Sequence, residues 1–231
     1  MFKNNKSVPM RVNTLKHTHK RKPLSQLKFP TIGALIFSAT CSLNASAAST
    51  DSWMTEIYID KDAALREIII PGTHDAGTYN ITSSSDISDS ASDFFDLAPG
   101  AVAAWAKTQD HNIYTQLQNG IRYFDLRLEW HDNDIWLVHT MMSVPLSTVL
   151  DDVAQFAQEH PKEIILLDFH KLTDSGHYDE THELIQAKLA GLMVNDDFHA
   201  TSTIHEIWGS ETNIIAMMDK TAMADLSNDY W

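Results

Sequence analysis

A handful of titratable residues in this chain have the types and spacing that acid–base chemistry needs. His74 and Asp75 are neighbours, directly after the run Ile68-Ile69-Ile70-Pro71-Gly72-Thr73. Asp125 and Arg127 are two apart, so on an extended strand they project to one face. His139 closes Ile135-Trp136-Leu137-Val138, and His170, followed by Lys171, closes Glu163–Phe169. Two imidazoles and a guanidinium around one pocket suit phosphoryl transfer. One imidazole takes the proton of an attacking hydroxyl and the other returns a proton to the leaving oxygen, for which a pKa of ~6.5 serves both ways. The planar fork of arginine holds the non-bridging phosphate oxygens and offsets the charge that builds on them. Each residue alone also has an ordinary reading: a loop His with a capping Asp, an ion pair for Asp125 and Arg127, a satisfied core histidine at 139, a surface residue at 170. Their recurrence at the ends of successive strands favours a shared site.

Those residues need strands to hold them, and apolar runs alternate with helical patterns to supply them. Glu67–Ile70 reads as a first strand ended by Pro-Gly. Ile113–Leu117 reads as a short helix stopped by Gly120. Arg122–Leu128 and Ile135–His139 read as strands two and three, joined by the turn residues His131-Asp132-Asn133-Asp134 in a hairpin or close crossover. Leu146, Val149, Leu150, Val153, Phe156 and Ala157 form a helical stripe between Pro145 and Glu159. Glu163–Phe169 is an almost wholly apolar fourth strand, as a strand covered on both faces should be. Thr181–Met193 is helical, and Asn213–Met218 is a fifth strand. This alternation predicts an α/β fold, a (β/α) TIM-type barrel. About five strands are visible where a full barrel takes ~250 residues, so the barrel is expected to be incomplete at its C-terminal end. Ser83–Ser92, rich in Ser and Asp, reads as a solvated loop.

The first 47 residues carry eight Lys or Arg and no acid, then an uncharged run, then Ala45-Ser46-Ala47. That order reads as a secretory signal peptide over residues 1–47, with a catalytic domain over 48–231 and a secreted or periplasmic destination. From Ala48 on there is no cysteine, and 9 basic residues face 31 acidic ones, a formal net charge of −22. Such a charge argues against a nucleic-acid partner, whose phosphates it would repel.

The motifs now carry a resemblance. Ile70-Pro71-Gly72-Thr73-His74-Asp75-Ala76-Gly77-Thr78, Gln116-Leu117-Gln118-Asn119-Gly120-Ile121-Arg122-Tyr123-Phe124-Asp125-Leu126-Arg127 and Trp136-Leu137-Val138-His139-Thr140, with His160-Pro161-Lys162-Glu163 and the strand to His170, resemble the X-domain of phosphatidylinositol-specific phospholipase C. The likeness runs from about Trp53 to Lys220. It implies a distorted barrel that cleaves a phosphodiester with the substrate's own inositol 2-hydroxyl, giving a cyclic inositol phosphate and diacylglycerol. It implies His74 as general base and His139 as general acid with Asp75 beside it. Arg127 stands where bacterial members carry a phosphate-binding arginine and animal members a calcium-ligating acid, and Asp75 where animal members carry Asn. Both point to the bacterial, metal-independent type with no cofactor. Asp125 would orient Arg127 and face the substrate. His170 falls where bacterial members often have Lys and animal members Glu. The later strands of the family supply inositol contacts and an Asp partner for the first His, for which the sequence offers no candidate.

Two rival readings remain. A metal-dependent glycerophosphodiesterase-like barrel would use an acid pair and a cation, against which Arg127 speaks. A non-catalytic binding module would not need His74, Arg127 and His139 together. Metal binding by Asp174, His177 and His182 is disfavoured, because their spacing puts no two His on one helical face. A phosphoinositide substrate lies in a membrane, so the apolar segment Phe94–Trp105 is expected at the rim of the site, with Phe94, Phe95 and Trp105 as transient membrane contacts. Ordinary packing on the barrel accounts for the same residues.

Overall fold

A computed structural model describes residues 49–91, 98–173, 175–195 and 197–218. These residues fall within one compact unit, Ser46–Trp231. The expected signal segment 1–47, and Phe94 and Phe95, lie outside the described residues.

The elements in chain order are α1 (Trp53–Tyr58), β1 (Gly72–Thr73), α2 (Pro99–Ala106), α3 (Ile113–Gln118), β2 (Tyr123–His131), β3 (Asp134–His139), β4 (Met141–Pro145), α4 (Leu146–Glu159), β5 (Ile165–Thr173), α5 (Tyr178–Leu189), α6 (Ile204–Gly209) and β6 (Ile214–Met218). The six strands form one sheet in the order β4-β3-β2-β5-β6. β1 shares an edge of β2 with β3: it pairs in parallel with Tyr123 and Phe124, while β3 runs antiparallel along Leu128–His131. β2, β5 and β6 are parallel. Among the described residues the sheet does not close on itself, as expected of an incomplete barrel.

Side-chain alternation decides the two faces. Phe124, Leu126 and Leu128 of β2, Ile165, Leu167 and Phe169 of β5, and Ile214 and Ala216 of β6 pack against one layer of helices. From α4 come Val149, Leu150, Val153 and Phe156, the predicted stripe, joined by Ile113 and Leu117 of α3 and Ile185 and Leu189 of α5. The opposite face carries Asp125, Arg127 and Glu129, and lower down an apolar cavity of about 390 Å³ bordered by Ile70, Leu166, Ile215 and Met217. A buried ion pair secures the base of β2. Arg122 and Glu163 are fully buried and 2.7 Å apart, and Glu163 also accepts from the Thr55 amide and hydroxyl at 2.8 Å each. This ties the N-terminal helix to the foot of the sheet.

Three expectations are corrected. The triplet Ile68–Ile70 is not the first strand: Leu65–Glu67 is a 3-10 turn and pairing begins only at Gly72. Ile68 and Ile70 pack inward around Met54 and Ile164 while Ile69 is 92% exposed, so the triplet alternates like a strand but has no ladder partner. The strands number six, because Met141–Pro145 pairs with β3 directly after the reversal at Thr140, whose φ is +65°. The Ser/Asp-rich loop is docked, not simply solvated. Ser88 is buried and bonds to Glu129 of β2, the Asp89 amide donates to Glu129 at 2.9 Å, and the Ser88 amide donates to the Thr140 carbonyl. The turn after β2 is a hairpin. Asp132 and Asn133 both have positive φ, the conformation that tight two-residue hairpins require and that Asp and Asn tolerate.

Candidate active site

Gly72 and Thr73 pair with β2, and the chain then leaves the sheet through His74–Gly77. The Ala76 amide donates to the Asp125 carbonyl at 2.9 Å, which sets this turn against β2. From the helix side Gln116 of α3, itself buried, accepts from the Thr73 hydroxyl and donates to the Ala76 carbonyl. Gly77 is required by space: a Cβ there would lie 2.4 Å from Cγ of Leu137 on β3. The His-Asp-Ala-Gly sequence thus brings the turn into contact with the strand that ends in His139. Asp75 takes a left-handed φ of +48°, and its side chain is only 1% exposed.

His139 comes to the same place through the hairpin, one of the two connections that the turn residues allowed, and not at the end of a parallel strand. β3 is antiparallel, so its carboxyl end points back down the sheet. With Leu128 opposite Leu137, the hairpin delivers His139 beside the middle of β2, where Asp125 and Arg127 stand. The rule of carboxyl strand ends accounts for His74; the hairpin register accounts for His139.

The resulting cluster is tight. His74 Nδ1 lies 2.6 Å from Asp125 Oδ2, and His74 Nε2 lies 3.1 Å from Asp75 Oδ2. Arg127 Nε is 2.7 Å from Asp75 Oδ1, and Arg127 Nη2 is 3.6 Å from Asp125 Oδ2 and 3.4 Å from His74 Nε2. His139 Nε2 is 3.6 Å from Asp75 Oδ2, while its Nδ1 is held at 2.9 Å by the Ala106 carbonyl. Asp75 is therefore the hub that both imidazoles and the guanidinium reach. Asp125 was expected to orient Arg127, from which it lies 3.6 Å; its shortest contact is to His74, an imidazole for which the later strands offered no carboxylate partner. Both Asp75 oxygens and Arg127 Nε are buried and lack an aligned hydrogen bond despite their short ion-pair distances, and Asp125 Oδ1 is likewise buried without a hydrogen bond. In this condition the carboxylate oxygens could accept from a ligand's hydroxyl, and Arg127 Nε could donate to a phosphate oxygen.

Asp168, not among the predicted site residues, belongs to the same face. The β2–β5 register sets it directly opposite Asp125, and its carboxylate accepts from the Tyr123 hydroxyl. Burial, and then Asp168, push the Tyr123 phenol up to about 12. The alternation of Ile165, Leu167 and Phe169, which leaves Asp168 on the other face, could have found it. His170 itself is the extra residue at an irregularity, since Leu126 pairs with Phe169 but Arg127 pairs with Lys171. The side chain of His170 lies outside the described set, so its expected contact with substrate has no geometry here. Trp105 is 61% exposed at the end of α2, with its ring 5.1 Å from that of His139. As to metals, one donor atom each from His74, Asp75 and Asp125 lie within 4.8 Å of one another.

Residues 101–215 match the family model for the phosphatidylinositol-specific phospholipase C X domain. A PI-PLC X domain-containing protein of Dictyostelium discoideum is 32% identical over 188 residues, covering 68% of this chain and 32% of the relative. Human PI-PLC X domain-containing protein 2 is 30% identical over 159 residues, covering 62% of this chain and 51% of the relative. Among solved structures, a Staphylococcus aureus phosphatidylinositol-specific phospholipase C superposes with a TM-score of 0.54 at 26% identity, over 74% of this chain and 53% of that one. The Listeria monocytogenes enzyme gives 0.53 at 24% identity over 74% and 57%, a likeness of fold. This chain therefore spans about a third of the first relative and about half of the others. With the ordered motifs and the barrel-type sheet that presents them, these matches identify the chain as a member of the phosphatidylinositol-specific phospholipase C X-domain family.

Proposed function

We propose that the protein is a metal-independent phosphodiesterase acting on phosphatidylinositol-type lipids. The observation that carries this reading is the convergence of His74 Nε2, Arg127 Nε and His139 Nε2 on the Asp75 carboxylate, at 3.1, 2.7 and 3.6 Å. Asp125 holds Nδ1 of His74, so Nε2 is the base. It takes the proton of the inositol 2-hydroxyl as that oxygen bonds to phosphorus. Arg127 binds the non-bridging oxygens. His139, held at Nδ1 by the Ala106 carbonyl, gives its Nε2 proton to the glycerol oxygen as the phosphorus–oxygen bond breaks. Diacylglycerol leaves and a cyclic inositol phosphate remains. The exposed Trp105 at the rim fits contact with a lipid surface, and the S. aureus relative was solved in work on modulation of its membrane binding. Export through the 1–47 signal segment belongs to the same proposal.

A metal-dependent reading has one observation of its own, the three donor atoms of His74, Asp75 and Asp125. Against it, the Arg127 guanidinium already contacts both carboxylates and would repel a cation there. Phosphatidylinositol turnover in excess EDTA separates the two. We expect full activity and a cyclic product; loss of activity that calcium restores would refute metal independence. His74→Ala and His139→Ala should each nearly abolish turnover with the fold intact, and Arg127→Lys should fail too, since a point charge does not replace a bidentate fork. Near-normal turnover in either histidine variant would overturn the assignment of acid and base.

A further inference from the structure

The catalytic reading uses His74 and His139 but leaves unexplained what holds them at their working distance. One short segment touches both. α2 ends at Ala106, and the chain then runs extended past the site. The Trp105 ring lies on His139, and the Ala106 carbonyl is 2.9 Å from His139 Nδ1. Two residues on, the Thr108 amide donates to the Thr78 hydroxyl at 3.0 Å, and the two hydroxyls lie 2.8 Å apart. The Thr108 hydroxyl then reaches the carbonyls of His74 and Asp75, at 3.2 Å each. The Gln109 side-chain amide Nε2 donates to the His74 carbonyl at 2.9 Å.

These contacts fall on strained backbone. Asp75 sits at φ +48°, a region that a residue with a side chain enters only when its surroundings hold it there. On the inner side the turn is held by the Ala76 amide on the Asp125 carbonyl. On the outer side the His74 carbonyl is taken up by Gln109 and Thr108, and the Asp75 carbonyl by Thr108 together with the Thr78 amide at 3.2 Å. The proton order is consistent: the Thr108 amide donates to Thr78, the Thr78 hydroxyl donates to Thr108, and the Thr108 hydroxyl donates to a turn carbonyl.

We propose that residues 105–109 are a positioning clip for the acid–base pair. Thr108 and Gln109 hold the left-handed turn so that the Nε2 of His74 faces the site, and the Ala106 carbonyl keeps His139 protonated on Nδ1 so that Nε2 is its working nitrogen. Thr108 and Gln109 are positioning residues and touch no substrate. The kinetic part of this inference rests on the phosphodiesterase reading; the tautomer part does not.

The test uses the full chain and a soluble short-chain phosphatidylinositol. Thr108→Val, Thr108→Ser and Gln109→Ala are compared with wild type for kcat, KM and thermal midpoint. Thr108→Val and Gln109→Ala should each lower kcat about 3- to 10-fold, the worth of a lost hydrogen bond, with KM within about twofold. Their midpoints should move by about 2 °C or less, because both sites are at the surface. Thr108→Ser, which keeps the hydroxyl, should restore most of kcat. Unchanged kcat in Gln109→Ala and Thr108→Val would overturn the clip, as would a fall that tracks lost stability. Should Thr108→Val not fold, Gln109→Ala decides alone. In parallel, histidine-labelled wild-type protein is examined by nitrogen-15 NMR. Protonated Nδ1 on neutral His139 is expected, and the opposite tautomer would overturn the clip whatever the activity. A wild type without phosphodiesterase activity that keeps the expected tautomer would refute the proposed function and leave the His139 part of the clip supported.

Discussion

Glu163→Gln is the substitution whose cost the structure lets one work out most directly. Glu163 and Arg122 are both fully buried. The carboxylate accepts from Arg122 Nε at 3.0 Å and Nη2 at 2.7 Å, from the Thr55 amide and hydroxyl at 2.8 Å each, and from the Met54 amide at 3.3 Å. Nearly every neighbour is a donor. An amide in its place would point an NH₂ at another N–H and leave the Arg122 charge without its counter-ion. Desolvation already works to lower the Arg122 pKa, and Glu163 is the main influence opposing it. The other guanidinium hydrogen bonds, to the carbonyls of Leu117, Ile121, Asp51 and Thr50, satisfy hydrogens but carry no charge. Breaking a buried pair in this way costs about 3–5 kcal/mol. For a unit of this size each kcal/mol lowers the unfolding midpoint by about 2–4 °C, so a fall of about 6–20 °C is expected. Circular dichroism melts at neutral pH would read it, with urea unfolding as a check. Pairing Glu163→Leu with Arg122→Met should recover only part of the loss, because removing both charges removes the desolvation penalty but leaves the Thr55 and Met54 donors without an acceptor. A fall below about 3 °C for Glu163→Gln would refute the reasoning and mean that water reaches the pair.

Further expectations concern the site and its surroundings. Gly77→Ala should cost about 1–3 kcal/mol by overpacking against Leu137 and should reduce activity beyond that loss, because Leu137 lies two residues from His139; a wild-type melting point would show that the turn yields freely. Replacing Phe94 and Phe95 by Ser should lower turnover on phosphatidylinositol vesicles and spare a soluble short-chain substrate, whereas equal losses on both would mean that the segment only packs. Stability should also fall on acidification through His182. Burial lowers its pKa below the ordinary 6.5 despite Asp179 and Glu183, so the unfolded chain binds the proton more readily. The contribution is complete above 6.5 and is lost as pH falls through the lowered value. Melts between about pH 8 and pH 5 should show a smaller loss for His182→Gln than for wild type.

Much of the scaffold is written locally. The stripe of α4, the two-sided apolar run of β5 and the alternation of β2 are set by helical and strand periodicity, which neighbouring residues carry among themselves. The placing of Asp125 and Arg127 on one face needed only their two-residue spacing. The ordered motifs also sufficed to recognise the family. Other features depended on what distant segments pair with. Ile68–Ile70 has the composition of a strand, but the parallel register that sets Gly72 opposite Tyr123 places it beside residues that precede β2, so it has no strand to pair with. Met141–Pro145 became a strand because a single-residue reversal at Thr140 returns it to β3. Asp168 is ordinary in sequence; only the register that sets it opposite Asp125 makes it part of the site face. The same holds for the centre of the cluster. The 2.6 Å contact of His74 with Asp125 joins residues 51 positions apart, and the Ala106 carbonyl meets His139 across 33. Residue types and short-range spacing determined which groups could do chemistry. Chain reversal, strand register and a left-handed turn decided which groups meet, because a hydrogen bond a few ångströms long depends on the path of the whole intervening chain.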